Sequence, residues 1–333
     1  MINEMIDLSE KVADKRKKDP SLIERMESAA QGQSPRFLLI SPINRSSQDL
    51  ELLDMEIGDA FHATRVPSVA LPPPTKSPIL FAGPASYNHG FAEKRGVILT
   101  FEFDEPLEII RESIENLAKH PDLRDLPVIA LRVDYDRGEA RLTPHGKGRD
   151  YAGENWVLSR IQKPSHLDEN TLVLICSDSR VKPPLTPAGL PMAIQTLGGF
   201  VPPYFSEDDE SALLNAFFER WLRLDESTRH ILIIGHGAFK TEGPPCGAAK
   251  ASLEPSNVTS GLLRSVIQQI DDEASAFEES QPASPEDRVV ALASAIRHNL
   301  LSYPAVRRYI ENAHDDLIGS LFMNTVTNVL SLE

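Results

Sequence analysis

Cysteine and long apolar segments are both scarce in this sequence of 333 residues, whose only cysteines are Cys176 and Cys246. Two cysteines are too few for the disulfide framework of a small secreted protein. No run of 18 consecutive apolar residues occurs, and the charged residues 1–37 contain no apolar stretch typical of a secretory signal. We therefore expect a cytoplasmic protein with reduced thiols and no membrane span, with a microcompartment or an organelle as the alternative location.

Positive charge is also in deficit, because 34 lysines and arginines face 49 aspartates and glutamates, for a net charge of −15. A negative field of this size repels phosphate backbones and anionic membranes, so we expect no nucleic-acid partner. The contents of 41% hydrophobic and 25% charged residues are typical of a soluble globular protein. The length predicts about two domains.

Several well-known catalytic motifs are absent. Neither Gly-x-Gly-x-x-Gly nor Gly-x₄-Gly-Lys-Ser/Thr occurs, so the sequence does not support nucleotide binding. The Gly-x-Ser-x-Gly motif of serine hydrolases is missing as well. Cys176 and Arg180 have three residues between them, whereas the phosphate loop of cysteine phosphatases needs five.

The hydrophobic pattern predicts three segments. Residues 1–35 form a polar amino-terminal segment. Residues 36–150 contain apolar strands at 37–40, 97–103 and 126–133 and a helix at 105–119, which predicts a smaller α/β or α+β module of unknown role. Residues 151–333 alternate strands at 171–175 and 231–234 with helices at 210–224, 260–270 and 287–301, before closing strands within 317–332. This alternation predicts an α/β domain with a mainly parallel sheet flanked by helices.

Two residues able to bind a metal follow the buried strands of that domain. Cys176 comes directly after residues 171–175, and His236 follows residues 231–234 by two positions. Because sites in parallel sheets form at the carboxyl ends of strands, we expect these side chains to meet. Cys246 precedes a helix-prone run at 247–251, where the helix N-terminus favours a thiolate. Two cysteines and one histidine would suit Zn²⁺ and leave its fourth position open.

Asp178 and Arg180 follow the first candidate ligand and lie two residues apart, so an extended backbone would point both to one side. An arginine can hold a carboxylate through charge-assisted hydrogen bonds. We expect Asp178 to accept a hydrogen bond from zinc-bound hydroxide, and Arg180 to keep that carboxylate off the metal.

The motif Cys-Ser-Asp-Ser-Arg at residues 176–180, with Gly-His at 235–236 and Cys-Gly-Ala at 246–248, resembles the β-class carbonic anhydrases. The resemblance covers about residues 164–332. It implies a zinc lyase (carbonate dehydratase) with Cys176, His236 and Cys246 as ligands and Asp178 and Arg180 as the catalytic dyad. It also implies reversible hydration of CO₂ to bicarbonate and a proton, in a homodimer or higher homo-oligomer whose active sites lie near the subunit interface.

Two features depart from that family. Nine residues separate His236 from Cys246 where the family usually has two, and residues 195–200 read Gln-Thr-Leu-Gly-Gly-Phe where it usually has Arg-Asn-Ala-Gly-Asn. The altered segment would permit a different small substrate, which makes hydrolysis of COS or CS₂ by the same hydroxide an alternative. A zinc-stabilised interaction protein without catalytic activity is the other alternative.

Overall fold

The computed structural model describes residues 1–91, 94–143, 157–158, 164–223, 228–239, 243–278, 284–312 and 317–332. Within these residues the chain forms two mixed β-sheets flanked by helices. The helices are α1 (Ile2–Arg16), α2 (Pro20–Gln31), α3 (Ser46–Leu52), α4 (Pro78–Gly90), α5 (Leu107–Ala118), α6 (Asp209–Trp221), α7 (Gly247–Ser252), α8 (Gly261–Ser275), α9 (Pro285–Ser302) and α10 (Pro304–Asn312).

The first sheet has six strands and the second has five. The spatial order in the first is β2 (Ala60–Arg65), β1 (Phe37–Pro42), β3 (Gly96–Glu102), β4 (Val128–Asp134), β5 (Glu139–Leu142) and β6 (Val157–Leu158). The order in the second is β8 (Leu190–Thr196), β7 (Leu167–Cys176), β9 (His230–Gly237), β10 (Ile318–Asn324) and β11 (Leu330–Ser331). In the first sheet, β2, β1, β3 and β4 pair in parallel, whereas β5 pairs antiparallel with both β4 and β6. In the second sheet, β8, β7, β9 and β10 pair in parallel, and β11 is antiparallel to β10.

The second sheet has the architecture predicted for the carboxyl-terminal half. Its central strands β7 and β9 carry the two apolar runs, whose side chains are buried because helices cover the sheet. Helices α8 and α9 begin where Ser260 and Ser284 cap them, each hydroxyl accepting a hydrogen bond from a backbone amide in the first turn. The prediction of an α/β fold with a mainly parallel sheet is confirmed.

Strands β2 and β8 were not predicted, because buried polar residues hide their pattern. His62, Thr64 and Arg65 in β2 and Gln195 in β8 are all buried. These two strands contact each other where the sheets meet, and the Thr64 hydroxyl oxygen accepts a hydrogen bond from the Gln195 amide at 2.9 Å. Polar side chains inside a strand therefore mark the junction between the two halves.

The polar segment 1–35 packs against the far end of the chain. Helix α1 buries Met5 and Ala13, and the Ser9 hydroxyl accepts a hydrogen bond from the Leu330 amide in β11 at 2.9 Å. One apolar core continues through both sheets. The division into segments 1–35, 36–150 and 151–333 stays a prediction. No described helix combines the length and apolar character needed to cross a lipid bilayer.

Candidate metal centre

The three predicted ligands lie together at the carboxyl edge of the second sheet. Cys176 is the last residue of β7, and His236 lies near the end of the adjacent strand β9, where Ile175 and Ile234 are opposite each other. Cys246 immediately precedes α7. The two sulfur atoms and an imidazole nitrogen all lie within 4.8 Å of one another, and all three side chains are buried. Parallel pairing thus brings together residues that lie up to 70 positions apart in the chain.

A glycine turn supports the first ligand. The Gly198 amide donates a hydrogen bond to the Cys176 sulfur at 3.2 Å, and Gly198 has a φ of +69°. A Cβ atom on Gly198 would lie 3.0 Å from Leu292 Cδ2 and 3.3 Å from the Ala248 Cβ. The turn therefore needs glycine both for its backbone conformation and for space. The Gly-Gly pair at 198–199 could have indicated this turn, but the segment was noted only for its difference from the usual family sequence.

The imidazole of His236 is oriented by a residue that the sequence analysis missed. Its Nδ1 lies 3.1 Å from the Thr325 hydroxyl oxygen, whereas its Nε2 is buried without a hydrogen-bond partner among the described residues. In the tautomer whose Nδ1–H donates a hydrogen bond to the threonine oxygen, the Nε2 lone pair is free for a metal. No sequence motif points to Thr325, which follows β10 and lies 89 positions from His236.

The two thiols shift each other's pKa values in opposite directions. A hydrogen bond from the Cys176 thiol lowers the pKa of Cys246 well below its usual value, and His236 and the Ala249 amide add to this effect. The same hydrogen bond is the main cause of the raised pKa of Cys176, and burial of the thiol adds to it. Burial would lower the pKa of His236, but the neighbouring Cys246 thiolate raises it overall. A divalent cation bound here would displace the protons of these groups, because metals bind cysteine as the thiolate and histidine as the neutral imidazole.

Asp178 and Arg180 form a buried ion pair beside the ligands. The Arg180 Nε lies 2.9 Å from Asp178 Oδ1 and 3.1 Å from Oδ2, and the Arg180 Nη2 also donates to Oδ2. Burial alone would raise the pKa of Asp178, but the hydrogen bonds from Arg180 outweigh it and lower that pKa. The carboxylate is therefore ionised at neutral pH. Its Oδ2 lies 3.9 Å from His236 Nε2, so a group bound at that nitrogen would be within reach of the carboxylate.

The long segment between His236 and Cys246 braces this pair. Arg180 Nη2 donates a hydrogen bond to the Pro245 carbonyl at 3.0 Å, and Nη1 lies 3.5 Å from the Pro244 carbonyl. The Asn328 side-chain amide donates to the Arg180 carbonyl at 3.2 Å. Residues 240–242 of the inserted segment lie outside the described part of the chain. The unusual spacing thus accommodates all three ligands and gives Arg180 two further acceptors.

A cavity of about 250 Å³ opens beside Cys176 and Asp178. Its lining is mainly apolar and comes from both halves of the chain: Gln33, Phe61, Ser86, Gly90, Phe91, Leu197, Gly247, Ala248, Ala251, Val258, Leu263 and Ile267. Leu197 is the one residue of the altered segment 195–200 among these lining residues. The contribution of Phe61 and Phe91 from the first half was not predicted from the sequence.

The comparison with protein-family models places its match in the carboxyl-terminal half. Residues 171–328 match the family model for carbonic anhydrase, and this range includes the three candidate ligands, the Asp178–Arg180 pair and Thr325. The β-carbonic anhydrase CcaA is 23% identical, with a TM-score of 0.34 over 46% of this chain and 68% of the other. No curated protein is significantly similar to the chain.

Two fungal structures give similar values. A tetrameric β-carbonic anhydrase from Sordaria macrospora is 19% identical, with a TM-score of 0.35 over 49% of this chain and 79% of the other. The β-carbonic anhydrase CafA from Aspergillus fumigatus is 21% identical, with a TM-score of 0.35 over 49% and 74%. Residues 171–328, just under half of the chain, thus match the carbonic anhydrase family model, which confirms the resemblance predicted from the sequence.

Proposed function

We propose that this protein is a carbonic anhydrase that uses Zn²⁺ to hydrate CO₂ reversibly to bicarbonate and a proton. The observation that carries the proposal is the convergence of Cys176, His236 and Cys246, whose ligand atoms lie within 4.8 Å of one another. The match of residues 171–328 to the carbonic anhydrase family model supports this activity in general. Two sulfurs and an imidazole nitrogen with a free lone pair fit Zn²⁺ and leave one of its four positions for a reactant.

The chemistry supplied by the metal would be the usual one for a catalytic zinc site, since bound Zn²⁺ lowers the pKa of a water molecule toward ~7. Two thiolates cancel the charge of the cation and weaken its effect on that pKa, so neighbouring groups have to assist in activating the water. Cys246 is suited to ligation because its pKa is already lowered by its hydrogen bond with Cys176. Thr325 holds the His236 ring in the orientation that presents Nε2 to the metal.

Asp178 would orient the attacking oxygen. An ionised carboxylate accepts a hydrogen bond from that oxygen, and this interaction aims a lone pair at the carbon of CO₂. Both carboxylate oxygens are engaged by Arg180, which keeps the carboxylate from replacing the reactant. Arg180 therefore acts through Asp178 as a positioning residue.

The cavity beside the dyad would hold the substrate. CO₂ is small and carries no charge, and the walls formed by Phe61, Phe91, Leu197 and Ile267 are apolar. Such walls exclude most water and bind an apolar molecule near the ligands. The cytoplasmic location and the homodimer or higher homo-oligomer implied by the resemblance stay predictions.

Elemental analysis combined with stopped-flow CO₂ hydration tests the proposal. We expect one zinc per chain and rapid hydration in the wild type, zinc but little hydration in Asp178→Ala, and neither in Cys176→Ala. Turnover of COS without turnover of CO₂ would favour the alternative substrate. Stoichiometric zinc with hydration at the buffer rate would instead point to a zinc-stabilised interaction protein.

A further inference from the structure

The two sheets share one topology, although no internal repeat is visible in the sequence. Counted from its own first strand, each sheet places its strands in the order second, first, third, fourth, fifth. In both, the first four of these strands are parallel neighbours and the fifth is antiparallel to the fourth. Strands β1–β5 thus correspond one by one to strands β7–β11.

Each half of the chain thus holds one copy of this topology, the first copy in the amino-terminal half and the second in the carboxyl-terminal half. The two copies contact each other through the edge strands β2 and β8 and the loops beside them. The loop after β7 accepts a hydrogen bond from β2, with the His62 amide 3.1 Å from the Ser177 carbonyl. The loop after β1 accepts one from β8, with the Ala193 amide 3.1 Å from the Ile43 carbonyl. A contact that is made once in each direction is the signature of an interface related by a two-fold axis. The edges of the two sheets are therefore joined as an approximate two-fold axis would join two subunits, with the two contacts offset by one residue in strand register.

The register of the strands shows what the first copy has in place of the metal ligands. Ile40 is opposite Leu99 in the first sheet, as Ile175 is opposite Ile234 in the second. One residue further along the first strand, Ser41 corresponds to Cys176. Two residues further along the third strand, Phe101 corresponds to His236.

A buried ion pair occupies this edge of the first copy. The Arg65 guanidinium lies 4.3 Å from the centre of the Phe101 ring and binds both carboxylate oxygens of Glu105, at 2.8 and 2.6 Å. The two side chains are 0% and 4% exposed. Glu105 is engaged by Arg65 through both carboxylate oxygens, so it is not available as a metal ligand, and the phenyl ring of Phe101 offers no ligand atom. Within the part of the chain that the structure describes, the first copy thus has the fold without a cluster of metal-ligating side chains.

The first copy also closes the cavity of the second. Phe61 at the β2 edge and Ser86, Gly90 and Phe91 at the end of α4 line the cavity beside Cys176. Helix α4 packs closely at this point, since a Cβ atom on Gly83 would lie 3.1 Å from the Ser177 hydroxyl oxygen. Phe61 itself is 1% exposed.

We propose that the amino-terminal half is a metal-free copy of the metal-bearing half and serves as its built-in partner. It supplies, within the same chain, the cavity wall that a second subunit would otherwise have to supply. A single chain then carries one metal site and one complete cavity. The importance of the wall for CO₂ turnover rests on the proposed function. The wall itself, and the absence of a second cluster of metal-ligating side chains among the described residues, do not.

Thiol reactivity tests the wall without any assay of catalysis, because both cysteines of the chain line the centre. In chelator-treated full-length protein, Phe61→Ala should raise the alkylation rate of Cys176 and Cys246 about tenfold by opening a path to them. Phe81→Ala is the matched control, because Phe81 is equally buried in the same half but does not line the cavity. Equal acceleration in both variants would overturn the proposal.

Dilution distinguishes a wall in the same chain from one in a partner. At concentrations where sedimentation shows single chains, the wild-type thiols should stay as slow to react as in concentrated protein. Rapid alkylation on dissociation would mean that a second chain closes the cavity, and would overturn the proposal.

Zinc retention tests the second claim. A Cys176→Ser/Cys246→Ser variant should retain no zinc above the buffer, whereas stoichiometric zinc in it would show that the first copy holds a metal. If the alkylation and zinc results are as expected but the wild type does not hydrate CO₂, the proposed function is refuted and the built-in partner is not.

Discussion

Replacing Asp178 with asparagine removes one charge of a buried ion pair while keeping the side-chain volume. The Arg180 guanidinium would lose its two close carboxylate partners, at 2.9 and 3.1 Å from Nε, and would keep the Pro244 and Pro245 carbonyls. Breaking a buried pair on one side costs about 3–5 kcal/mol, because the remaining charge stays uncompensated. Since domains are stable by about 5–15 kcal/mol, we expect Asp178→Asn to be folded but clearly less stable.

The same change should act on the reaction by a different route. An amide presents an N–H donor and a weaker acceptor where the carboxylate offered two acceptors, so it cannot orient the attacking oxygen. Proton-accepting groups in active sites contribute about 10²–10⁴-fold, so CO₂ hydration should fall by about 10² or more at unchanged zinc content. Hydration at the wild-type rate would refute the role given to Asp178.

Urea unfolding of a double-variant cycle separates the two effects. Arg180→Met removes the guanidinium, so the combination Asp178→Asn/Arg180→Met should recover at least about 1 kcal/mol of the stability lost in Asp178→Asn. Activity should not return, because no carboxylate is restored. A double variant less stable than Asp178→Asn would show that an uncompensated charge is not the cause of the loss.

Three further changes test other parts of the structure. Thr325→Val removes the acceptor for His236 Nδ1 and should weaken zinc binding about 10–100-fold in competition with a chelator, with little change in the folded fraction. Gly198→Ala forces a side chain into a turn at φ +69° and against Leu292 at 3.0 Å, so urea unfolding should show a loss of about 2–4 kcal/mol. Burial raises the pKa of Asp49 to about 6, so its stabilising effect is complete below its unfolded value of 3.8 and is lost as pH rises through 6. The stability of the wild type relative to Asp49→Asn should therefore fall by up to about 3 kcal/mol between pH 4 and pH 7 in urea titrations, and a flat difference would contradict it.

The sequence predicted the centre better than the cavity around it. Cys176 and His236 were recognisable because each follows a continuous apolar strand, and the carboxyl ends of parallel strands meet. Thr325, Gly198 and Phe61 were not, because their roles depend on contacts between elements far apart in the chain. Ordinary residues of this kind gain a function only through the position in which the fold places them.

The amino-terminal half was unidentifiable for a related reason. A sheet topology is maintained by the alternation of apolar strands and helices, whereas chemistry depends on a few residues at strand ends. Once Ser41 and Phe101 stood where Cys176 and His236 stand in the other copy, no motif remained to mark the equivalence. A buried charge such as Arg65 needs its own partner, and Glu105 binds it through both carboxylate oxygens. A copy packed in this way could no longer bind a metal, but it could still present the edge strand and helix that the other copy needs to close its cavity.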